Sequence, residues 1–338
     1  MILVDNYIGA ILCCVYCCLC WGSWANTQKM VTSKSWSFEL FYWDLTFGLF
    51  FTALLGALTL GSLGSEGRTF FEDLAVMDWN SMKYALLGGI VWNFGNIFLT
   101  AAIAVAGMSV GFPIGGGLAW IGGIIFNYLL ISLAGEVYPG NQTLLWIGVA
   151  VIVIAICICG KAYGKMSASQ ASTPKKGILL AIVAGLAIMF FFALVVKSLN
   201  PQYVTGGTGT LTPYTGVFCF AAGVLITTPV FNTFAMSHPA QGNKVTMKDY
   251  LKGDTRTHLI GMLGGFIWMS GMVVSFMGAG SANPAIAYAL SNAAPVVAMI
   301  WGFFVWKEFK GAPKGTVPMI ATMFVLFVVG LVLITLSN

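Results

Sequence analysis

The chain has 338 residues, of which 58% are hydrophobic and only 8% are Asp, Glu, Lys or Arg. A soluble domain carries about 25% charged residues, so this composition excludes a water-soluble globule of this size. The net charge of +5 is modest, and no loop pairs a basic patch with interleaved aromatic residues, which argues against a nucleic-acid partner. The composition therefore indicates a protein whose solvent is lipid.

The spacing of the charged residues shows how the chain crosses that lipid. Four stretches contain no Asp, Glu, Lys or Arg: 84–135, 198–243, 257–306 and 315–338. A transmembrane helix needs about 20 mostly apolar residues, so the first three stretches each accommodate two helices and a turn. The chain begins without a basic leader, and its first apolar segment is interpreted as a span rather than a cleaved signal peptide.

We predict an all-α polytopic membrane protein with ten transmembrane helices. The predicted spans are 7–29, 38–61, 82–105, 109–133, 142–160, 176–198, 213–236, 257–279, 284–306 and 316–336. Thirteen of the 16 basic residues fall on one side of this arrangement, and only Arg68, Lys83 and Lys197 fall on the other. Because cytoplasmic loops carry the excess of Lys and Arg, both termini are predicted to lie outside the cytoplasm.

The two halves of the chain share a sequence pattern. Gly-Gly-x-x-Trp-x-x-Gly occurs at 88–95 and again at 264–271, and Tyr42 and Tyr214 are 172 residues apart. A repeat with an odd number of spans is inverted in the membrane, which is the basis of alternating access in many transporters. The prediction is two inverted five-helix repeats, at 1–160 and 177–338, joined by a cytoplasmic linker at 161–176.

The end of the first span carries the most specific motif, Cys-Trp-Gly-Ser-Trp-Ala-Asn-Thr-Gln-Lys at 20–29. Its Trp-Gly-Ser run with a following Lys resembles the glucose/ribose porter branch of the drug/metabolite transporter superfamily, and the fuller run is similar to the ureide permease branch. The resemblance implies uptake that is usually coupled to protons. The plant members of the ureide permease branch carry allantoin and uracil-like solutes. We expect the protein in a bacterial cytoplasmic (inner) membrane, where it functions as a monomer or a homodimer.

Polar and aromatic side chains inside the predicted spans are the candidate substrate-binding residues. An amide is costly in lipid and therefore faces protein or water, and a Trp ring stacks on a sugar or a planar ureide. Packing between helices explains each of these residues equally well. Small residues recur every four positions in the fourth span, at Gly107, Gly111, Gly115, Ala119 and Gly123, a pattern that favours packing against another helix. The candidates are Trp92, Asn93, Asn96, Trp120, Asn127, Trp268, Tyr288 and Asn292.

Three further residues are candidates for coupling or gating. Asp44 is the one carboxylate assigned to the interior of a span, and an intramembrane acid is a functional candidate by default. It either carries a proton or forms an ion pair with Lys29, which ends the preceding helix on the same side. Lys197 is the counterpart of Lys29 in the second half, where it either belongs to a gate or extends to the membrane surface.

Other chemistries have weaker support. The eight cysteines are spread around apolar helices and are interpreted as small hydrophobic residues, so neither a metal nor a cofactor is expected. No phosphate-binding loop occurs. We predict a secondary transporter that imports a small neutral polar solute, with a sugar first and a ureide, nucleobase or nucleoside second. The alternatives are an exporter of drugs or metabolites, a membrane-embedded enzyme in which His238 and His258 meet, and a sensor that does not transport.

Overall fold

The computed structural model describes residues 1–32, 36–133, 140–169, 174–204, 206–281, 290–291 and 293–337. These residues contain no β-strand, and nine of their helices are long and apolar enough to cross a membrane. In chain order, the apolar helices are α1 (Tyr7–Thr32), α2 (Phe38–Leu58), α3 (Trp79–Ala106), α4 (Met108–Phe126), α5 (Gln142–Met166), α6 (Lys175–Ser198), α7 (Pro213–Ser237), α8 (Thr255–Met277), the shorter α9 (Ala294–Val305) and α10 (Thr316–Leu336).

The predicted spans match these helices with two differences. Helix α9 covers only the second part of the predicted ninth span, because 284–289 and position 292 lie outside the described residues. The helical backbone that begins with α5 continues to Ser169, through much of the predicted linker. Polar caps set several of the starts: the side chain of Asn6 accepts from the Gly9 amide before α1, and Asp78 caps α3.

One end of the bundle holds both the first residues and Ser337, and is called the terminal end. There the hydroxyl of Tyr214, at the start of α7, donates to the carbonyl of Ile2 at 2.6 Å. The amide of Asn141, just before α5, donates to the carbonyl of Ser337 at 2.6 Å. The helices therefore alternate in direction between this end and the opposite one.

The opposite end is called the lysine-rich end, because most of the described Lys and Arg residues lie there, near the ends of helices or in the loop between α7 and α8. At this end Lys29 of α1 pairs with Glu308, which follows α9, and Gln241, which follows α7, donates to the carbonyl of Ala104 in α3 at 3.0 Å. Among the described residues, Arg68, Lys83 and Lys197 lie at the terminal end instead.

The repeated glycine motif brings helices together at backbone distance. A Cβ on Gly89 of α3 would lie 2.0 Å from the carbonyl oxygen of Phe220 in α7. A Cβ on Gly265 of α8 would lie 2.0 Å from the carbonyl oxygen of Leu45 in α2. Small residues allow this approach, which supplies packing energy where lipid provides no hydrophobic drive between helices. The motif therefore allows two helices to pack at backbone distance in both halves.

Gly265→Ala is expected to destabilise the protein, because the added methyl group must push α8 away from backbone atoms that cannot rotate aside. We expect a cost of about 1–3 kcal/mol, seen as a fall in the melting temperature of the detergent-solubilised protein. Gly164 is the matched control, since a Cβ there meets nothing within 4 Å. Equal melting temperatures for the two alanine variants would show that the close contact between Gly265 and Leu45 does not contribute to stability.

Buried apolar side chains form two large clusters. The first joins α1, α2, α3, α6, α7 and α8, and the second joins α4, α5 and α10. The polar and aromatic groups described below lie mainly in and around the first cluster.

Candidate functional site

An aromatic cluster occupies the first core, with Trp268 of α8 at its centre. The ring centroid of Trp268 lies 4.3 Å from that of Trp92 in α3. Trp21 of α1 and Phe220 of α7 stack on Trp268 at 5.4 and 5.8 Å, each with an interplanar angle of 13°. The Trp21 indole N–H also donates to the Trp268 carbonyl at 3.2 Å. Four helices from both halves thus present flat, buried surfaces to one another.

A polar network lies next to this cluster on α3, because Asn96 follows Trp92 by one helical turn. The hydroxyl of Tyr42 in α2 donates to Asn93 Oδ1 at 2.8 Å, and Asn96 Nδ2 donates to that hydroxyl oxygen at 3.4 Å. Asn93 Nδ2 donates to Thr227 Oγ1 in α7 at 2.9 Å. Asn93 therefore uses its amide to join α2, α3 and α7, whereas the Asn96 amide donates a long bond to Tyr42 among the described residues.

A second polar cluster forms around Asp44, which is almost fully buried in α2. The hydroxyl of Tyr250 donates to Asp44 Oδ1 at 2.6 Å, and His258 Nδ1 lies 2.9 Å from the same oxygen. The Trp36 ring packs edge-on against the imidazole, with centroids 5.4 Å apart. Asp44 is therefore bound to His258, and the ion pair with Lys29 considered in the sequence analysis does not form.

Tyr250 lies in a short helix of the loop before α8, Met247–Tyr250. Burial, and then the hydrogen bond and charge of Asp44, raise the pKa of the Tyr250 phenol above its usual value. The phenol therefore stays protonated and keeps donating to Asp44 across the physiological range. The cluster couples the start of α2 to the start of α8 at the lysine-rich end.

Lys29 instead forms an ion pair with Glu308 at 2.5 Å. The Glu308 carboxylate also accepts the backbone N–H groups of Met108 and Ser109, at 2.8 and 2.7 Å. These two residues begin α4, where free N–H groups and the helix dipole favour an anion. Glu308 thus connects α1, α4 and the end of α9.

The other polar residues of the motif at 20–29 also contact the end of α9. The indole N–H of Trp301 donates to Ser23 Oγ at 2.9 Å, and that of Trp306 donates to Asn26 Oδ1 at 2.6 Å. Ser23, Asn26 and Lys29 are spaced by three residues and so lie along one face of α1. The polar residues of the motif bind the end of α9, which closes the lysine-rich end of the bundle.

Lys29→Met is expected to destabilise the protein by about 2 kcal/mol, because it leaves the largely buried Glu308 carboxylate without a cation. The charge swap Lys29→Glu with Glu308→Lys is not expected to restore stability, since a lysine at 308 would face the N–H groups that begin α4. Thermal unfolding of the purified variants measures both effects. If the doubly substituted protein is as stable as the native one, the attraction between the two opposite charges alone explains the stabilising effect of the pair.

A cavity of about 290 Å³ opens beside this ion pair at the lysine-rich end. Lys29, Thr32, Gln241 and Glu308 supply polar groups to its wall. Gln28 also lines the cavity and donates from Nε2 to the carbonyl of Thr100 at 2.8 Å. The cavity is bordered by the end of α1, the end of α3 and the loop after α7.

The terminal end is held by a separate network between the two halves. Asp78 accepts hydrogen bonds from Ser81 and from the hydroxyl of Thr210, and these bonds hold the pKa of Asp78 at about 2. Arg68 pairs with Asp73 at 2.6 Å and donates to the carbonyl of Thr210. Both ends of the bundle are therefore tied by polar contacts in the arrangement described.

The remaining predicted residues lie elsewhere or outside the described part. Trp120 is buried in the second apolar cluster, away from the aromatic cluster. The Lys197 ammonium lies 4.5 Å from the centre of the Tyr84 ring at the terminal end. Asn127 lies on the helix Gly117–Leu133, but its side chain is outside the description, as are the whole residues Tyr288 and Asn292.

Several residues of these clusters are not among the candidates predicted from the sequence. Trp21 and Phe220 complete the aromatic cluster, although Trp21 belongs to the quoted motif. Glu39 is fully buried at the start of α2, so Asp44 is not the only carboxylate within a span. The signal was available, because Glu39 falls within the predicted span 38–61.

The whole chain resembles known proteins. The ureide permease family model matches residues 41–176 and 170–337. Ureide permeases 1 and 2 of Arabidopsis thaliana are 25% and 24% identical over 397 and 401 residues, covering 100% of this chain and 99% of each relative. One crystal structure of a protein superposes with a TM-score of 0.57 at 15% identity, covering 97% of this chain and 96% of that chain, which shows a shared fold. These curated relatives are plant proteins, so they lend no support to the predicted bacterial inner membrane.

Proposed function

Because the chain belongs to the ureide permease family, we propose that it is a secondary transporter that imports a small, neutral, planar ureide or nucleobase. The observation that carries this proposal is the buried stack of Trp21, Trp268 and Phe220, contributed by helices of both halves. Sugars, the first class expected from the sequence, become the second candidate, because stacked aromatic rings on both faces suit a flat solute better than a puckered one.

The proposed binding site lies where Trp268 meets Trp21 and Trp92. Their rings touch in the described arrangement, so a solute enters only as the rings separate. Flat amide-containing rings then stack on the indoles, while Asn96, on the same face of α3 as Trp92, donates to a carbonyl oxygen of the solute. Asn93 supports the site by holding α3 against α2 and α7.

We assign coupling to protons, with Asp44 and His258 as the carrying pair. Both groups are at the lysine-rich end, which we place in the cytoplasm because basic residues collect there. The matched contacts of Gly89 and Gly265 support two inverted repeats that move relative to one another by alternating access. Breaking the Lys29–Glu308 pair would open this end and release the solute through the adjacent cavity.

Uptake by proteoliposomes tests the proposal. The purified protein is reconstituted and given an inward proton gradient with labelled allantoin, uracil, glucose or ribose. We expect accumulation of allantoin or uracil that collapses with an uncoupler, and little accumulation of either sugar. Accumulation of a sugar alone would restore the sequence-based order of substrates. Binding without accumulation would support a sensor, and uptake only of drug-like cations would support an exporter.

A further inference from the structure

Two glutamine side chains at the lysine-rich end bind neighbouring turns of α3. Gln28 of α1 donates from Nε2 to the carbonyl of Thr100 at 2.8 Å. Gln241, in the loop after α7, donates from Nε2 to the carbonyl of Ala104 at 3.0 Å. Because Thr100 and Ala104 are four residues apart, their carbonyl oxygens lie on one face of α3, about 6 Å apart along its axis. Both glutamines also line the cavity beside Lys29, so the two amide groups converge on one space.

The bonds to α3 use the nitrogen of each amide and leave its oxygen. A backbone carbonyl only accepts, so each bond identifies which amide atom is the nitrogen. Gln28 has no exposed surface, and its Oε1 accepts no hydrogen bond within the part of the chain that the structure describes. Gln241 Oε1 likewise has no donor among the described residues. A buried amide oxygen without a donor is unfavourable, and the cavity that Gln28 lines is the space from which a ligand can supply one.

Lys29 adds a hydrogen-bond donor to the wall of the same cavity. One N–H group of its ammonium bonds Glu308 Oε1, and an ammonium has three such groups. The Lys29 side chain is still 25% exposed, so it can donate to a ligand as well as to Glu308. The two side chains carry opposite charges, which favours a neutral ligand over an ion. The cavity thus combines two acceptor oxygens with a donor.

We propose that this cavity is a second solute site, for a neutral molecule in which a carbonyl group is flanked by N–H groups. That urea-like unit occurs in ureides and in uracil. Its N–H groups donate to the Oε1 atoms of Gln28 and Gln241, and its carbonyl oxygen accepts from Lys29. A cyclic sugar has hydroxyl groups but no such carbonyl. The volume of about 290 Å³ is at the lower end of the range for ligand pockets, about 300–1,000 Å³, which suits a small ring.

The choice of solute rests on the proposed function, but the site is separate from the aromatic cluster. Equilibrium binding of labelled allantoin and of labelled uracil to the protein in nanodiscs counts the sites. We expect two molecules of one of these solutes per native protein and one per Trp268→Leu protein, in which the aromatic site is removed. One molecule per native protein and none per Trp268→Leu protein would overturn the second site and leave the proposed function intact. Proteoliposomes that accumulate neither solute, together with no binding, would overturn both.

Matched variants place the second binding event in the cavity. Gln28→Met and Gln241→Met are each expected to weaken it about tenfold, because each removes one hydrogen bond to the solute. Gln202→Met, at an exposed glutamine between α6 and α7, is expected to leave it unchanged. If Gln28→Met does not fold, Gln241→Met decides in the same way, since Gln241 is exposed. Equal affinities of Gln241→Met and Gln202→Met for the second solute would show that water alone occupies the cavity and would overturn the assignment.

Discussion

Trp268→Leu is expected to lower kcat/KM for ureide uptake about 100-fold, whereas Trp268→Phe retains most of the activity. The leucine removes the indole surface on which the proposed solute stacks once Trp268 separates from Trp21 and Trp92. Each aromatic contact contributes about 0.5–1.5 kcal/mol beyond its buried area, and every 1.4 kcal/mol corresponds to a tenfold change. Initial rates over a range of allantoin or uracil concentrations measure the effect.

Trp120→Leu is the matched comparison, because Trp120 is equally buried but lies in the other apolar cluster. Both substitutions leave a cavity and are expected to lower thermal stability. The sequence makes both tryptophans candidates for solute binding, and the proposed site contains only Trp268. Equal losses of kcat/KM in the two variants would show that the lower activity is caused by reduced protein stability and not by the loss of stacking on the solute.

Asp44→Asn is expected to abolish accumulation against a gradient while leaving exchange of solute intact. The asparagine still bonds Tyr250 and His258, but it cannot take up and release a proton as a carboxylic acid does. Internal and external solute concentrations should therefore become equal, with an accumulation ratio of about one even under an imposed proton gradient. Counterflow of labelled solute in proteoliposomes measures exchange separately.

Asp249→Asn is the control for Asp44→Asn, since Asp249 lies in the same region but faces water, where it pairs with Lys252. It is expected to accumulate solute normally. His258→Gln should resemble Asp44→Asn, because the imidazole is the second half of the proposed proton pair. Proton-driven accumulation by the Asp44→Asn variant would remove Asp44 from the coupling mechanism.

The sequence predicts the helices well because each is defined by its own run of apolar residues. It does not predict which helices touch. Asp44 and His258 are 214 residues apart, and Lys29 and Glu308 are 279 apart, so no local pattern indicates either partner. Trp120 and Trp268 look alike in the sequence, and only the packing of their helices separates them into different clusters.

The close contacts at Gly89 and Gly265 also have a consequence for how the protein is made. Each joins a helix of the first half to one of the second, α3 to α7 and α2 to α8. Helices inserted early cannot complete their packing until α7 and α8 have left the ribosome. The first five helices thus spend much of translation in the bilayer without their final neighbours, and the halves produced as separate chains would depend on meeting each other in the membrane.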